Sequence, residues 1–252
     1  MKRVLKSATE PQPLIDYKKR FEKTRQNLRW NQFKAQDARR EPVKDQLRLD
    51  QRGLCAYCEN TLIPEDESVE HFVPRYVDHG LELDWQNLLL ACCGGEHPLP
   101  EEVIDRDIRH DPNDRQTCGH ARRHSYAQIF NPLELPVAPR LFRIRSESGE
   151  ITPDDALCQE AGVDPALAAT TIGTLGLTAG RLNKARLAIL KALTDLLAED
   201  TYDTPPLSTQ RERELAEEQI PAVGALPRFF TTIRFVLGQG AEEYLQGIGF
   251  QG

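Results

Sequence analysis

The sequence lacks several features that define other classes of protein. Its 252 residues contain no run of about eighteen apolar side chains, which excludes a predicted membrane-spanning helix. The first segment, MKRVLKSATEPQP, has no apolar stretch after its charges, so it does not resemble a secretory signal. Internal repeats and low-complexity tracts are also missing. We expect a cytoplasmic protein in a reducing environment, with one core, or one core and a small metal-stabilised module.

Cysteine is sparse: the chain has six, and only Cys55 and Cys58 form a C-x-x-C motif. In a reducing compartment such a pair indicates metal or redox chemistry rather than a disulfide. Zinc in structural sites takes four nitrogen or sulfur ligands, and a second C-x-x-C is missing. We therefore predict that Cys92 and Cys118 complete a zinc site, with Cys93 as the alternative to Cys92.

Two other interpretations compete for the C-x-x-C motif. A thioredoxin-like redox pair needs a surrounding βαβ pattern, which the sequence does not show. A purely structural zinc knuckle would need no catalytic residues beside it. Cys158 stands apart on a helical stretch, and we predict that it is a small buried side chain.

The net charge of −7 disfavours a nucleic-acid partner until its distribution is considered. Residues 1–52 carry 15 Lys and Arg against 7 Asp and Glu, a difference of +8. Residues 59–104 carry 1 against 11, a difference of −10. A basic segment beside an acidic one suits phosphate contact next to divalent-cation binding. Two ordinary solvated faces would show the same charges.

Residues 1–54 are predicted to form helices. Apolar residues recur at helical spacing in two stretches, which are marked by Leu14, Tyr17, Phe21 and Leu28 and by Val43, Leu47 and Leu54. Pro42 is expected in the first turn of the second helix, and Gly53 is expected to end it.

From residue 55 to about 130 the pattern changes to short apolar pieces and turns. Residues 68–73 and 84–91 are the size of strands or loop segments and are too short for helices. Residues 93–117 are polar and rich in turn formers, which is typical of a long functional insertion. Residues 118–129 are expected to begin a helix.

Residues 131–252 are predicted to contain a hairpin followed by helices. The hairpin spans 141–151 and turns at Ser148 and Gly149. One later helix carries an apolar stripe of Leu182, Ile189, Leu193 and Leu197, and the last is expected at 226–237. Phenylalanines within that last stretch are predicted to pack in the core, and a partner-binding anchor is the alternative.

Chemically active side chains lie between the cysteines. Glu70 and His71 are adjacent, so on an extended segment one can hold a metal while the other faces a water. A histidine near its natural pKa can take a proton from water at neutral pH. Asn87 is an uncharged group suited to orienting the histidine or its loop. His120 and His124 would share one face of a helix, and either could complete a catalytic metal site.

These motifs together resemble those of the HNH, or ββα-metal, endonucleases. The narrower resemblance is to the HNH effector subunits of the Septu and retron-linked bacterial antiphage systems. It is carried by LCAYCEN at 54–60, VEHFVPR at 69–75, DWQNLLLACCGG at 84–95 and TCGHARRH at 117–124. Trp30 and Phe33 upstream and TIGTLGLTAGRLNKAR at 171–186 downstream extend it over most of the chain.

The resemblance implies a role for each matched residue. His71 would be the general base that activates water against a phosphodiester, and Asn87 would position it. Glu70 and His120 would help to bind Mg²⁺ or another divalent cation. Zinc would join the two halves of the motif through Cys55, Cys58, Cys92 and Cys118. The family's effectors work beside an ATPase, so the resemblance also implies an ATPase partner and a toxic role in antiphage defence.

The chain departs from the common HNH pattern after its last cysteine. Gly119 follows Cys118 where asparagine or histidine is common, and Arg122 stands where a lysine often does. The third ligand of the catalytic metal is therefore open between His120 and His124.

We predict an α+β, mostly helical fold. A small zinc-stabilised ββα-metal module at 55–130 would lie between an N-terminal helical region at 1–54 and a hairpin with helices at 131–252. The predicted function is metal-dependent cleavage of DNA or RNA. The competing function is a zinc-stabilised nucleic-acid-binding or adaptor module without catalysis.

Overall fold

The computed structural model describes residues 1–22, 29–103, 105–122, 128–199 and 209–252. Over these ranges the chain is rich in helix and has two small antiparallel sheets. The helices are α1 (Gln12–Glu22), α2 (Trp30–Lys34), α3 (Asp37–Asp50), α4 (Arg106–Arg109), α5 (Cys118–Arg122), α6 (Asp155–Glu160), α7 (Pro165–Thr174), α8 (Gly180–Glu199), α9 (Thr209–Gln219), α10 (Phe230–Val236) and α11 (Gly238–Gly247). The strands are β1 (Ser68–His71), β2 (Leu88–Ala91), β3 (Phe142–Ile144) and β4 (Ile151–Pro153).

The first sheet pairs β1 with β2 in an antiparallel register that places His71 opposite Leu88. All four residues of β2 are buried, as expected for a short apolar run inside a core, whereas β1 is half-buried. Both predicted strand segments are confirmed in shortened form. The Asp84 carboxylate accepts a hydrogen bond from the Gln86 N–H, and this turns residues 85–87 into one turn of 3-10 helix before β2.

The helix α3 differs from its prediction at its start, whereas Gly53 ends it as predicted. It begins at Asp37, so Pro42 lies in its interior rather than in its first turn. An acidic side chain in the first turn complements the helix dipole, which favours the earlier start. At the other end Gly53 has a φ of +78°, and its N–H bonds the Arg48 carbonyl at 2.8 Å. The helix therefore stops before Leu54, which instead forms an isolated bridge with another loop residue.

The apolar residues of α1 and α3 pack inward as their spacing predicted. Leu14, Tyr17, Val43 and Leu47 are buried. Leu28 lies outside the described residues, and the side chain of Phe21 is not among those described.

The second sheet confirms the predicted hairpin, because Ile144 pairs with Ile151 across the turn. The stripe on α8 is confirmed as well, since Leu182, Leu193 and Leu197 are buried. Cys158 on α6 is fully buried, as predicted.

The last predicted helix, at 226–237, is wrong in its bounds. The backbone N–H of Phe229 bonds the Glu59 carbonyl at 2.8 Å, and Phe229 has a left-handed φ of +55°. This tertiary contact delays the helix, so α10 starts at Phe230 and α11 follows it. Phe229, Phe230 and Leu237 are buried, which confirms core packing for this cluster.

One large hydrophobic core joins residues from all parts of the chain. Among its fully buried members are Phe33 upstream of the first sheet, Tyr57 and Trp85 around it, and Phe142 in the second sheet. A second cluster lies among the C-terminal helices α9, α10 and α11. The division at 54 and 130 stays a prediction. Among the helices described, none has the length and apolar character needed to cross a membrane.

Candidate active site

Four cysteines meet in the core. The sulfurs of Cys55, Cys58, Cys92 and Cys118 all lie within 4.8 Å of one another, and all four residues are buried. The Cys55–Cys118 and Cys58–Cys92 sulfur pairs are 3.7 Å apart, and the Cys92–Cys118 pair is 3.6 Å apart. A tetrahedral zinc with Zn–S bonds of about 2.3 Å separates its sulfurs by roughly 3.8 Å. The cluster therefore has the size and the donor set that zinc requires.

The first pair of thiols is shaped by a tight knuckle. The Cys55 N–H bonds the Asn60 carbonyl at 2.8 Å, and Glu59 takes a left-handed φ of +63° to close the turn. Backbone N–H groups also point at the sulfurs: that of Asn60 lies 3.5 Å from Cys58 Sγ, and that of Cys92 lies 3.3 Å from Cys55 Sγ. These contacts favour thiolate charge and fix the sulfurs in place.

The third thiol comes from the end of β2. Cys92 directly follows this strand, while the side chain of Cys93 lies outside the cluster. The Cys93 N–H bonds Asp66 at 3.0 Å, and burial raises the pKa of its thiol to about 12. The structure thus selects Cys92 over its alternative.

The fourth thiol is returned to the cluster by the long polar segment 93–117. The Thr117 N–H bonds the Gly94 carbonyl at 2.9 Å, so the two ends of the segment meet. Arg181 on α8 clamps both ends through bonds of 2.8 Å to the Gly94 carbonyl and 3.0 Å to the Thr117 hydroxyl. Cys118 then enters α5 with a left-handed φ of +58°.

Glu70 lies against the start of α5. A Cβ built on Gly119 would lie 2.1 Å from the Glu70 carboxyl carbon, so only glycine leaves room for this carboxylate. Burial raises the pKa of Glu70, and the nearby His120 and Arg122 oppose that shift. The departure from the common pattern after Cys118 therefore has a steric reason.

His120 completes this part of the site. Its Nε2 lies 2.5 Å from the Glu96 carboxylate, which can only accept, so the proton sits on Nε2. Its Nδ1 is buried with no hydrogen-bond partner among the residues described, and in the neutral ring it offers a lone pair. A carboxylate behind an imidazole is the usual support for a metal-binding histidine. His124, the other candidate ligand, lies outside the described residues.

His71 ends β1. Its Nε2 lies 2.9 Å from the carbonyl oxygen of Glu82, which also can only accept, so Nε2 carries the proton and Nδ1 keeps its lone pair. The ring packs edge-on against Trp30 with centroids 5.2 Å apart. Burial lowers the pKa of His71 to about 4, and the bond to Glu82 only partly offsets it. The imidazole is therefore neutral at physiological pH and can accept a proton only at Nδ1, and the lowered pKa makes it a weaker base than a free histidine.

Asn87 holds the loop that follows His71 rather than touching the imidazole. Its Oδ1 accepts from the Val73 N–H at 2.7 Å. Its Nδ2 donates to the carbonyls of Val73 at 3.0 Å and Leu81 at 3.1 Å. This amide thus ties two loops together beside β1, and its orienting role stays a prediction.

A cleft of about 780 Å³ opens beside Glu70, His71 and Gly119, which lie in its wall. Three arginines also line it, namely Arg29, Arg75 and Arg122. The motifs pointed to Arg122 but not to Arg75 or Glu82 as lining residues. Arg75 had a local signal, since it closes the motif VEHFVPR. Glu82 had no local signal, because it is one acid among many in its segment.

Comparison with known proteins gives one relative of substantial identity. A protein of Escherichia coli named "Retron Ec83 putative HNH endonuclease" is 30% identical over 211 residues, which cover 75% of this chain and 79% of that protein. No family model matches the chain.

Proposed function

This chain belongs to the retron HNH endonucleases, and from that membership we propose that it hydrolyses phosphodiester bonds in nucleic acid with His71 as general base. The observation that carries the proposal is the state of His71. It lines the cleft and is neutral, with Nε2–H held by a carbonyl and Nδ1 basic. A histidine in that state can take a proton from an attacking water.

The cleft suits a phosphodiester. Arg75 and Arg122, which line it, can neutralise phosphate oxygens, and guanidinium groups bind such oxygens in a forked geometry. The Arg122 guanidinium is itself anchored by a 2.7 Å bond to the Phe72 carbonyl. Asn87 keeps the loop after β1 in place, so that the base and the bound phosphate hold a constant geometry.

Two metals complete the proposed site. The four-cysteine cluster would hold a structural Zn²⁺ that joins the knuckle, the end of β2 and the start of α5. Glu70 and His120, with His124 as a candidate third ligand, would hold Mg²⁺ or another divalent cation. The unpartnered Nδ1 of His120 and the Glu70 carboxylate are a donor set that fits such an ion. That cation would supply charge stabilisation for the leaving oxygen.

The biological setting follows from the same membership. The relative is assigned to a retron by its name, which supports a role for this chain as an effector of bacterial antiphage defence. We propose that it acts in the cytoplasm, on DNA or RNA, together with an ATPase partner. The chain order β1, β2 and α5 supports this proposal, because a ββα-metal module also runs strand, strand, helix.

The test is cleavage of plasmid DNA and of total RNA by purified protein with Mg²⁺, with and without the ATPase partner. We expect His71→Ala to lose roughly 100-fold or more in cleavage rate, which is the range for removal of a general base. His110→Ala serves as the matched control, because His110 follows α4 and does not line the cleft. Both variants should fold and retain zinc.

Two outcomes would overturn parts of the proposal. Cleavage at the wild-type rate by His71→Ala would remove His71 as the base. A wild-type protein that binds nucleic acid but cuts neither DNA nor RNA, even with its partner, would favour a non-catalytic adaptor.

A further inference from the structure

Glu82 is a buried carboxylate that ties together three separate pieces of the chain. Its Oε1 accepts from Arg29 Nη1 at 2.9 Å and from His79 Nδ1 at 2.8 Å. Its Oε2 accepts from the backbone N–H of Trp30 at 2.8 Å. The side chain is only 5% exposed, so these three donors account for its stabilisation away from water. They also lower the pKa of Glu82 against the effect of burial.

The same residue contacts His71 through its backbone. The Glu82 carbonyl accepts from His71 Nε2 at 2.9 Å, while the Trp30 ring packs edge-on against the imidazole. His71 is therefore held between the carbonyl of Glu82 and the ring of Trp30. The Glu82 carboxylate also accepts a hydrogen bond from the Trp30 N–H. Glu82 therefore sets the positions of both groups that contact the imidazole, namely its own carbonyl and the Trp30 ring.

The backbone that presents this carbonyl is itself restrained. Glu82 follows a turn of 3-10 helix at His79–Leu81, and Asn87 bonds the Leu81 carbonyl at 3.1 Å. Loss of the Glu82 side chain would leave the Asn87 contact but release Arg29, His79 and the start of α2. The Glu82 carbonyl would then be free to rotate away from His71.

We propose that Glu82 is a positioning residue for His71. The Glu82 carboxylate fixes the Trp30 ring and the Glu82 backbone. The Glu82 carbonyl therefore accepts the bond from Nε2–H of His71, which leaves Nδ1 as the basic nitrogen. This inference rests on the proposed function of His71 as general base. It adds a residue outside the motifs that carry the family resemblance, eleven positions along the chain from His71. Displacement of a catalytic group by about 1 Å can slow a reaction roughly 100-fold.

A purely structural role for Glu82 makes a different prediction, and Glu67 provides the comparison. Glu67 is an equally buried glutamate of the same acidic segment, and it pairs with Lys44 at 2.8 Å and Arg48 at 2.5 Å. It has no contact with His71 or Trp30. Glu67→Ala should therefore cost stability without a specific loss of catalysis.

The experiment compares Glu82→Ala, Glu82→Gln and Glu67→Ala with His71→Ala in the complete, zinc-loaded protein. We expect Glu82→Ala to lower kcat roughly 10- to 100-fold with KM nearly unchanged, the range seen when a supporting residue behind a catalytic group is removed. Glu82→Gln keeps an oxygen for the Trp30 N–H, so it should recover most of that loss. Glu67→Ala should match the wild-type kcat once rates are corrected for the folded fraction.

A second readout is independent of cleavage. In protein labelled with ¹⁵N-histidine, the imidazole shifts of His71 should show the Nε2–H form in wild type and Glu82→Gln and a mixture of both forms in Glu82→Ala. An unmixed Nε2–H signal in Glu82→Ala, or wild-type kcat in that variant, would overturn the inference. If Glu82→Ala fails to fold, Glu82→Gln decides: a mixed signal there refutes the rescue on which the inference depends.

The inference and the proposed function can fail separately. Inactive His71→Ala with fully active Glu82→Ala removes only the positioning role. Active His71→Ala removes the general base, whatever the Glu82 variants do.

Discussion

Gly119 shows how a single residue accommodates the site. Its missing side chain is the space that the Glu70 carboxylate occupies, since a Cβ there would overlap all three carboxyl atoms at 2.1 to 2.3 Å. The clashing atoms are the end of the Glu70 side chain, so an added Cβ would push the carboxylate out of this position. A glycine after the last cysteine is thus a consequence of where Glu70 lies.

We predict that Gly119→Ala displaces Glu70 and lowers Mg²⁺-dependent cleavage about tenfold or more. Overpacking of this kind costs about 1–3 kcal/mol of stability, which urea unfolding would measure. Gly173→Ala is the control: it lies within α7 with nothing within 4 Å of the added Cβ. That change should stabilise the protein by up to about 1 kcal/mol, the difference in helix propensity. Full activity in Gly119→Ala would show that Glu70 is not needed where it lies.

At the scale of elements, the cysteine site depends on how the end of β2 faces the knuckle. Adjacent residues of an extended chain point to opposite sides, so only one of Cys92 and Cys93 can face the cluster. The bond between the Ala56 N–H and the Leu90 carbonyl, at 3.1 Å, holds the knuckle beside the strand and decides which. Cys93 turns instead toward Asp66.

This arrangement predicts different zinc contents for two neighbouring substitutions. Cys92→Ser should lose stoichiometric zinc and unfold at a markedly lower temperature, because metal binding and folding are coupled in such sites. Cys93→Ser should retain one zinc per chain. Zinc released by a thiol-modifying reagent and read with a chromogenic chelator gives the stoichiometry. Equal zinc in the two variants would contradict the four-cysteine assignment.

At the scale of the whole molecule, ion pairs inside the fold neutralise part of the charge asymmetry of the sequence. Arg29 pairs with Glu82 at 2.9 Å, and Lys44 and Arg48 both pair with Glu67. The basic N-terminal segment thus neutralises part of the acidic one. Lys6, another of its cations, is largely buried beside Trp85, and burial lowers its pKa to about 7. Positive charge for phosphate contact comes instead from Arg75 and Arg122 at the cleft, because Arg29, which also lines it, is paired with Glu82.

The C-terminal helices contribute to the site through Arg181. Beyond the bonds to Gly94 and Thr117, its backbone N–H and Nη1 bond the Asp114 carboxylate at 2.9 and 3.1 Å. One buried guanidinium on α8 therefore closes the whole 93–117 segment and sets where Cys118 begins.

We predict that Arg181→Ala destabilises the protein by about 2–3 kcal/mol, since it removes the hydrogen bonds of a buried guanidinium to the Gly94 carbonyl and the Thr117 hydroxyl. The loosened segment should also release zinc faster to a competing chelator. Arg145→Ala is the control, because Arg145 is exposed on the hairpin and such surface changes stay within about 0.5 kcal/mol. Zinc release at the wild-type rate from Arg181→Ala would show that the 93–117 segment does not help to retain the metal.

Local patterns in the sequence predicted much of this protein. Apolar spacing predicted α1, α3 and α8, turn residues predicted the β3–β4 hairpin, and the order of the cysteine motifs predicted a metal cluster of Cys55, Cys58, Cys92 and Cys118. Each of these signals is carried by residues close together in the chain, or by chemistry specific to one residue type. The start of α3 and the bounds of α10 were predicted wrongly, because an acidic first turn and tertiary contacts, not periodicity, set them.

Only the tertiary structure determined the contacts between residues that are far apart in the chain and belong to common residue types. The choice of Cys92 over Cys93, the hold of Glu82 on His71 and the support of His120 by Glu96 all depend on which side of a strand or loop faces a distant neighbour. Composition and spacing do not determine such pairings, because many acids, and either of the two adjacent cysteines, would satisfy the same pattern. Packing around one core selects among them, because it lets only one of each set reach its partner.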